Sequence, residues 1–264
     1  MSYLILFLTQ LGIFSQLEAR ECFVEKKTFV DGDFFVESRF YPHPESGKTI
    51  LIIPPTGGTN LIDRSYAREL CAVGFNVHIL DHWTMDDEYS LDLDIHRRFY
   101  GRAQRAIDLI LTHIPEQHEV SVLGTSVGAL HASIATGRVE RIKKALFITG
   151  GADITGTIVD SDQDVMRVAR KKRNEMFGFK TRDEYYNELK KHIVLDPLFF
   201  ESSFPGKKVS MVISDKDQTV PGPYQRLLQK ISRPSRVLEI NDDHFWAITK
   251  TWLFHKDFVK KSFL

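Results

Sequence analysis

Ser126 sits in Gly124-Thr125-Ser126-Val127-Gly128, between the apolar run Glu119-Val120-Ser121-Val122-Leu123 and the small-residue run Ala129-Leu130-His131-Ala132-Ser133. The pattern is a serine with a glycine two residues to either side, between an expected strand and an expected helix. Such a turn holds the serine in a strained backbone conformation. A side chain at either flanking position would strike the strand or the helix. The bend lifts Oγ above the sheet and aims a helix N-terminus at it. The chemistry on offer is nucleophilic attack by the Ser126 hydroxyl. The plainer alternative is a helix-capping serine in a glycine-rich turn. The strand-turn-helix context favours the nucleophile.

A serine hydroxyl attacks well only when a base takes its proton and a carboxylate orients that base. Both stand downstream, acid before histidine. The strand-like run Lys208 to Ile213 leads into Ser214-Asp215-Lys216-Asp217-Gln218-Thr219-Val220-Pro221, which holds two candidate acids. The strand-like run Arg236 to Ile240 leads into Asn241-Asp242-Asp243-His244-Phe245-Trp246. Two histidines follow Asp217, namely His244 and His255. His244 follows a strand and can reach over the sheet edge. His255 falls in a terminal helical stretch and reads as a surface or packing residue. Asp242 and Asp243 read as turn residues that cap that helix.

These segments resemble the α/β-hydrolase family. The resemblance spans roughly Cys22 to Leu264 and rests on G-T-S-V-G, on the D-x-x-V-P shape at Asp217 to Pro221, and on Asp243-His244-Phe245-Trp246. It implies that Ser126 is the nucleophile, Asp217 the acid and His244 the base, with Asp215 the second choice for the acid. One departure is Ser214, where family members often carry glycine three residues before the acid. The resemblance also implies an oxyanion hole of two backbone N–H groups. One is Val127, the residue after the nucleophile. The other belongs to the loop Pro54-Pro55-Thr56-Gly57-Gly58-Thr59, which follows the apolar run Thr49 to Ile53. Where many members have His-Gly, this chain has Pro55-Thr56. Pro55 has no N–H to give, so Thr56 is favoured and Gly57 comes second.

The 264 residues suffice for one large α/β domain, taken as residues 20–264. With 35 basic and 35 acidic side chains the formal charge is zero, and nothing in the balance points to nucleic acid or a membrane surface. The ten histidines are scattered without metal-ligand spacing, and no metal or other cofactor is expected. The two cysteines, Cys22 and Cys71, form no local motif and no disulfide framework. Cys71 reads as a small buried apolar residue. Residues 1–19 are signal-like and apolar but lack a basic start, so export, an apolar helix packed on the domain and a misassigned start codon all stay open.

The rest of the chain alternates. A hairpin is expected over Phe23 to Tyr41 around Asp31-Gly32-Asp33, a helix near Ile62 to Val73 ending at Gly74, and a strand over Phe75 to Leu80. A helix over Ile95 to Ile114 and a strand over Lys144 to Thr149 follow. The fold class is α/β, a mostly parallel sheet with helices on both faces. The stretch from about Ala152 to Lys207 interrupts this as a helical insertion, with a capping box at Thr181 and Glu184. The resemblance implies a lid at such a place. Met166, Met176, Phe177, Phe179, Tyr185, Tyr186, Phe199 and Phe200 either line an acyl pocket or pack the insertion down, and packing suits most of them. Arg167, Arg170, Lys171, Lys172 and Arg173 read as a solvated helix face. The expectation is a serine hydrolase acting on a small-molecule carboxylic ester through an acyl-enzyme. Thioesterase, peptidase, acyltransferase and a non-catalytic binding protein are the alternatives.

Overall fold

The computed structural model describes residues 22–81 and 91–264. The signal-like residues 1–19 lie outside them. The hairpin comes first, as β1 (Glu25–Asp31) and β2 (Phe34–Tyr41), then β3 (Lys48–Ile53), α1 (Leu61–Ala72) and β4 (Asn76–Asp81). Next are α2 (Ile95–Thr112), β5 (Glu119–Thr125), α3 (Val127–Arg138) and β6 (Ile142–Ile148). The chain closes with β7 (Lys208–Ser214), α7 (Gly222–Ser232), β8 (Arg236–Ile240), α8 (His244–Phe254) and α9 (Lys256–Lys261).

One eight-stranded sheet runs in the order β1-β2-β4-β3-β5-β6-β7-β8. β2 is antiparallel to β1 and to β4, and every other pair is parallel. The alternation of side chains along a strand sorts the core into two layers. Leu51 and Ile53 of β3 face α2, α3 and α7, among Ala106, Ile107, Ala132 and Leu228. Ile50 and Ile52 face α1, α8 and α9, among Tyr66, Leu70, Ala247 and Val259. Burial on both faces explains why β3 reads as a continuous apolar run rather than an alternating one. Inside β4, His78 hydrogen-bonds Ser38 Oγ at 2.9 Å and stacks on Phe40. Burial pushes its imidazole down to about 3, so it stays neutral as a sheet-packing residue.

Between β6 and β7 the chain is helical, with α4 (Ile154–Asp160), α5 (Asp164–Phe177), α6 (Arg182–Lys190) and a 3-10 helix over Pro197–Ser203. Thr181 and Glu184 form the expected capping box. The segment is pinned at both ends. Asp196 accepts from the backbone of Ile154 at 2.6 Å and of Leu198 at 2.9 Å. Arg182 grips Asp160 through two bonds of 2.7 and 2.6 Å. One reading is corrected here. The basic cluster is not wholly a solvated face. Arg173 is buried, and its guanidinium donates to Tyr185 Oη and to the Leu91 carbonyl. As expected for most of the eight large apolar residues, the majority pack the insertion down. Tyr185 is buried in a satellite core with Phe179, Tyr186 and Phe200 against it, while Met176, Phe177 and Phe199 are exposed.

The cysteines are the second correction. Cys22 and Cys71 form a disulfide, their Cα atoms 6.2 Å apart across a sequence separation of 49. Cys71 lies on α1, and the fold brings the chain just before β1 beside it. A separation of that size leaves no trace in local spacing. Closing a loop this long restricts the unfolded chain, for a stabilisation of about 4 kcal/mol. Cys22→Ser is therefore expected to lower Tm by roughly 10 °C, since a domain of this size loses about 2–4 °C per kcal/mol. Calorimetry of both chains, with and without reductant, checks this. Reductant should move only the unsubstituted chain.

Candidate active site

The site begins where three elements meet too closely for ordinary residues. β5 ends at Thr125 and α3 begins at Val127, leaving Ser126 alone to make the turn. Its φ of 57° and ψ of −124° are unusual for a residue with a side chain. A Cβ on Gly124 would come within 2.3 Å of the Gly128 carbonyl oxygen. A Cβ on Gly128 would sit 2.0 Å from the carbonyl oxygen of Ile53 on β3. Neither position has room for alanine. The turn is held by the Ser126 N–H, which donates to the Ile148 carbonyl at 2.9 Å, and by the Ser126 carbonyl, which accepts from Ala129 at 2.8 Å. Ser126 is thereby presented at the N-terminus of α3, where the helix dipole favours negative charge.

His244 is the first residue of α8, and Asp243 caps that helix by accepting from the Trp246 N–H at 2.9 Å. His244 Nε2 lies 2.8 Å from Ser126 Oγ, and Nδ1 lies 2.6 Å from Asp217 Oδ2. An ionised carboxylate only accepts, so Nδ1 carries the proton and Nε2 is left to accept from the serine hydroxyl. The Asp217 side chain is fully buried. Its Oδ1 accepts the backbone N–H groups of Thr219 and Val220, each at 2.8 Å. Asp215 points elsewhere, to Arg226 at 3.0 Å on the surface. Ser214, the departure from the family's glycine, donates through Oγ to the Asp242 carbonyl at 2.5 Å. That bond ties the loop bearing the acid to the loop bearing the histidine.

Thr56, Ser126 and Val127 all line one cavity of about 470 Å³, and Gly57 does not reach it. The loop holding Thr56 contains two left-handed glycines, Gly57 and Gly58. It is anchored by Thr59 Oγ1, which donates to Asp81 at 2.5 Å, and Asp81 is held in turn by Arg39 at 2.7 Å. Asn60 and Asp63 close its far side as a capping box on α1.

No protein-family model and no curated protein matches this sequence. Solved structures do match. The chain is similar to an acylaminoacyl peptidase of Pyrococcus horikoshii at 11% identity and a TM-score of 0.64, over 98% of this chain and 43% of the peptidase. This chain thus spans less than half of that protein's length. It is similar to an esterase of Pyrococcus furiosus at 13% identity and a TM-score of 0.61, over 90% of both chains. A thioesterase domain from the curacin biosynthetic pathway matches over 90% of this chain and 99% of its own, at 13% identity and a TM-score of 0.57. The chain has the α/β-hydrolase fold. Within that fold, β5 and α3 flank the Ser126 turn, and the loops after β7 and β8 carry Asp217 and His244.

One residue of the site was not visible in the sequence. Gln225, on α7, is fully buried. Its Nε2 donates to Asp217 Oδ2 at 2.9 Å and to the Val220 carbonyl at 2.7 Å, while its Oε1 accepts from the Ser214 N–H at 3.0 Å. It belongs to no motif, and a polar residue at one position of an amphipathic helix gives no signal until its neighbours are known. A hydrogen bond to a charged group contributes about 1.5–3 kcal/mol. Gln225→Met, which keeps the bulk, is expected to slow fluorophosphonate labelling of Ser126 by roughly tenfold or more. Labelling kinetics check this, with circular dichroism to verify the fold.

Proposed function

We propose that the chain is a serine hydrolase that cleaves a carboxylic ester through an acyl-enzyme. The observation that carries this reading is His244, within hydrogen-bond distance of Ser126 on one ring nitrogen and of Asp217 on the other. In this reading Ser126 Oγ attacks the ester carbonyl while His244 Nε2 takes its proton. The carbonyl oxygen becomes negative as the tetrahedral intermediate forms. The N–H groups of Val127 and Thr56 are assigned to it, each worth about two to three orders of magnitude in rate. His244 then protonates the leaving alcohol and the C–O bond breaks. A water molecule attacks the acyl-enzyme, giving its proton to His244, and the acid leaves as Ser126 is reprotonated. Asp217 holds the imidazole tautomer and stabilises the transient imidazolium. No step calls for a metal or an organic cofactor.

Activity measured on p-nitrophenyl esters, acyl thioesters and peptide anilides, with a fluorophosphonate probe alongside, tests the reading. Ester turnover with labelling at Ser126 supports it. Thioester or anilide turnover without ester turnover would move the chain to a neighbouring chemistry. Absence of both labelling and turnover would make it a binding protein. Ser126→Ala is expected to abolish turnover and labelling while keeping its thermal unfolding. Asp217→Asn should lower kcat by about four orders of magnitude. Asp215→Asn loses only an exposed ion pair worth under about 1 kcal/mol and should stay within a few-fold of the parent. Turnover numbers for the two variants decide between the acids.

A further inference from the structure

α5 is a heavily charged helix with a short apolar stripe, of which only Met166 packs against the satellite core. Asp164, Arg167, Arg170, Lys171, Lys172 and Glu175 stand on it, and Arg173 is its one buried residue. Yet Val165, Met166 and Ala169, which share one face, all line the cavity into which Ser126 opens. Phe99, Leu130 and Ile158, from α2, α3 and α4, line it too. The polar side chains among the lining include His96 and Arg173, which hydrogen-bond each other at 3.0 Å. Burial, with Arg173 beside it, pushes the His96 imidazole down to about 3, so it is neutral there. An apolar stripe over a largely apolar cavity, open to the Ser126 hydroxyl, suits an apolar ligand.

We infer that the cavity beneath α5 binds the acyl chain of the substrate, and that the substrate class is esters of unbranched medium-chain fatty acids, about eight to twelve carbons long. This rests on the proposed hydrolase reading. The volume sets the length. About 470 Å³, at the roughly 30 Å³ that a water-sized atom occupies in a liquid, takes on the order of fifteen heavy atoms. It also falls in the range that ordinary small-molecule sites occupy. A chain of that length fills the space and leaves the mouth to the ester group. Each methylene transferred out of water favours binding by about fourfold, so the cavity discriminates strongly against acetate. The specificity residues are those of the α5 stripe, above all Ala169, where a larger side chain would occupy the acyl space.

Two measurements on the full chain test this. In the first, kcat/KM is determined for p-nitrophenyl esters from two to sixteen carbons. It should climb severalfold per added methylene from four carbons, peak at eight to twelve and fall beyond. Ala169→Trp should lower the ratio of octanoate to acetate kcat/KM at least thirtyfold, and Val165→Trp is a second variant should the first fail to fold. In the second, calorimetry follows octanoate and butyrate binding to the Ser126→Ala chain, which needs no turnover. Octanoate should bind at least tenfold more tightly than butyrate, and adding Ala169→Trp should erase the difference. A flat ester series or an acetate optimum, with Ser126 still labelled by a phosphonate, overturns the acyl assignment and leaves the hydrolase reading standing. Octanoate binding without any turnover or labelling overturns the hydrolase reading and keeps the cavity's ligand.

Discussion

Everything in the site depends on a contact that tolerates no Cβ. The carbonyl of Ile53 at the end of β3 occupies the place where a side chain on Gly128 would begin, and the Gly128 carbonyl does the same to Gly124. These two exclusions bring β3, β5 and the first turn of α3 into direct backbone contact. Because they touch, the loop after β3 delivers Thr56 to the same cavity wall as Ser126 and Val127. Because the turn has a single residue between strand and helix, Ser126 takes a backbone conformation that only a tightly determined surrounding sustains. The parallel register of β3, β5, β6, β7 and β8 then sets the other two groups, which follow β7 and β8, at the same edge of the sheet.

How much of this was legible in the sequence depends on the distance over which each signal acts. The Ser126 turn carries its evidence within five residues, because the steric demand falls on its own flanking glycines. Strand and helix periods marked β3, β5, α2 and the hairpin in the same way. That Asp217 rather than Asp215 meets His244 has a local basis too, since the backbone N–H groups of Thr219 and Val220 curl onto Asp217. What escaped depends on how elements fold onto one another rather than on any local motif. Gln225 looks like any surface glutamine until the acid loop folds over it. Arg173 sits in a run of bases that reads as a wet face, and its bonds to the Tyr185 hydroxyl, the Leu91 carbonyl and His96 mark it as an interior residue. The aromatic residues of the insertion suggested a pocket by their bulk alone. Whether bulk packs or lines a cavity is a matter of helix rotation, and there the less conspicuous Val165 and Ala169 face the space.

Asp217 receives more hydrogen bonds than His244 makes. Asp217 accepts from two backbone N–H groups, from Gln225 and from His244. Its carboxylate is therefore held in one position, the preorganisation that the proposed hydrolase reading calls for. Ser214 extends the same logic from side chains to loops. Its hydroxyl spans the gap that a glycine would leave and binds the backbone just ahead of His244. A departure from the family's usual residue thus becomes a second fastening between the two loops.

The disulfide closes a covalent ring that starts at Cys22, follows β1, β2 and β3, passes Thr56, and returns along α1 to Cys71. The hairpin at the sheet's edge and the loop with the Thr56 N–H are therefore on one closed circuit. A protease nick anywhere on that circuit opens the ring but releases no fragment, and the two pieces part only when the sulfurs are reduced. The exposed edge strand can be clipped while the chain stays whole under non-reducing conditions. Such a ring forms where thiols can be oxidised and is rare where glutathione keeps them reduced. Expression in a reducing cytosol would yield the same sequence without this covalent circuit, and its edge hairpin would be held by hydrogen bonds and packing alone.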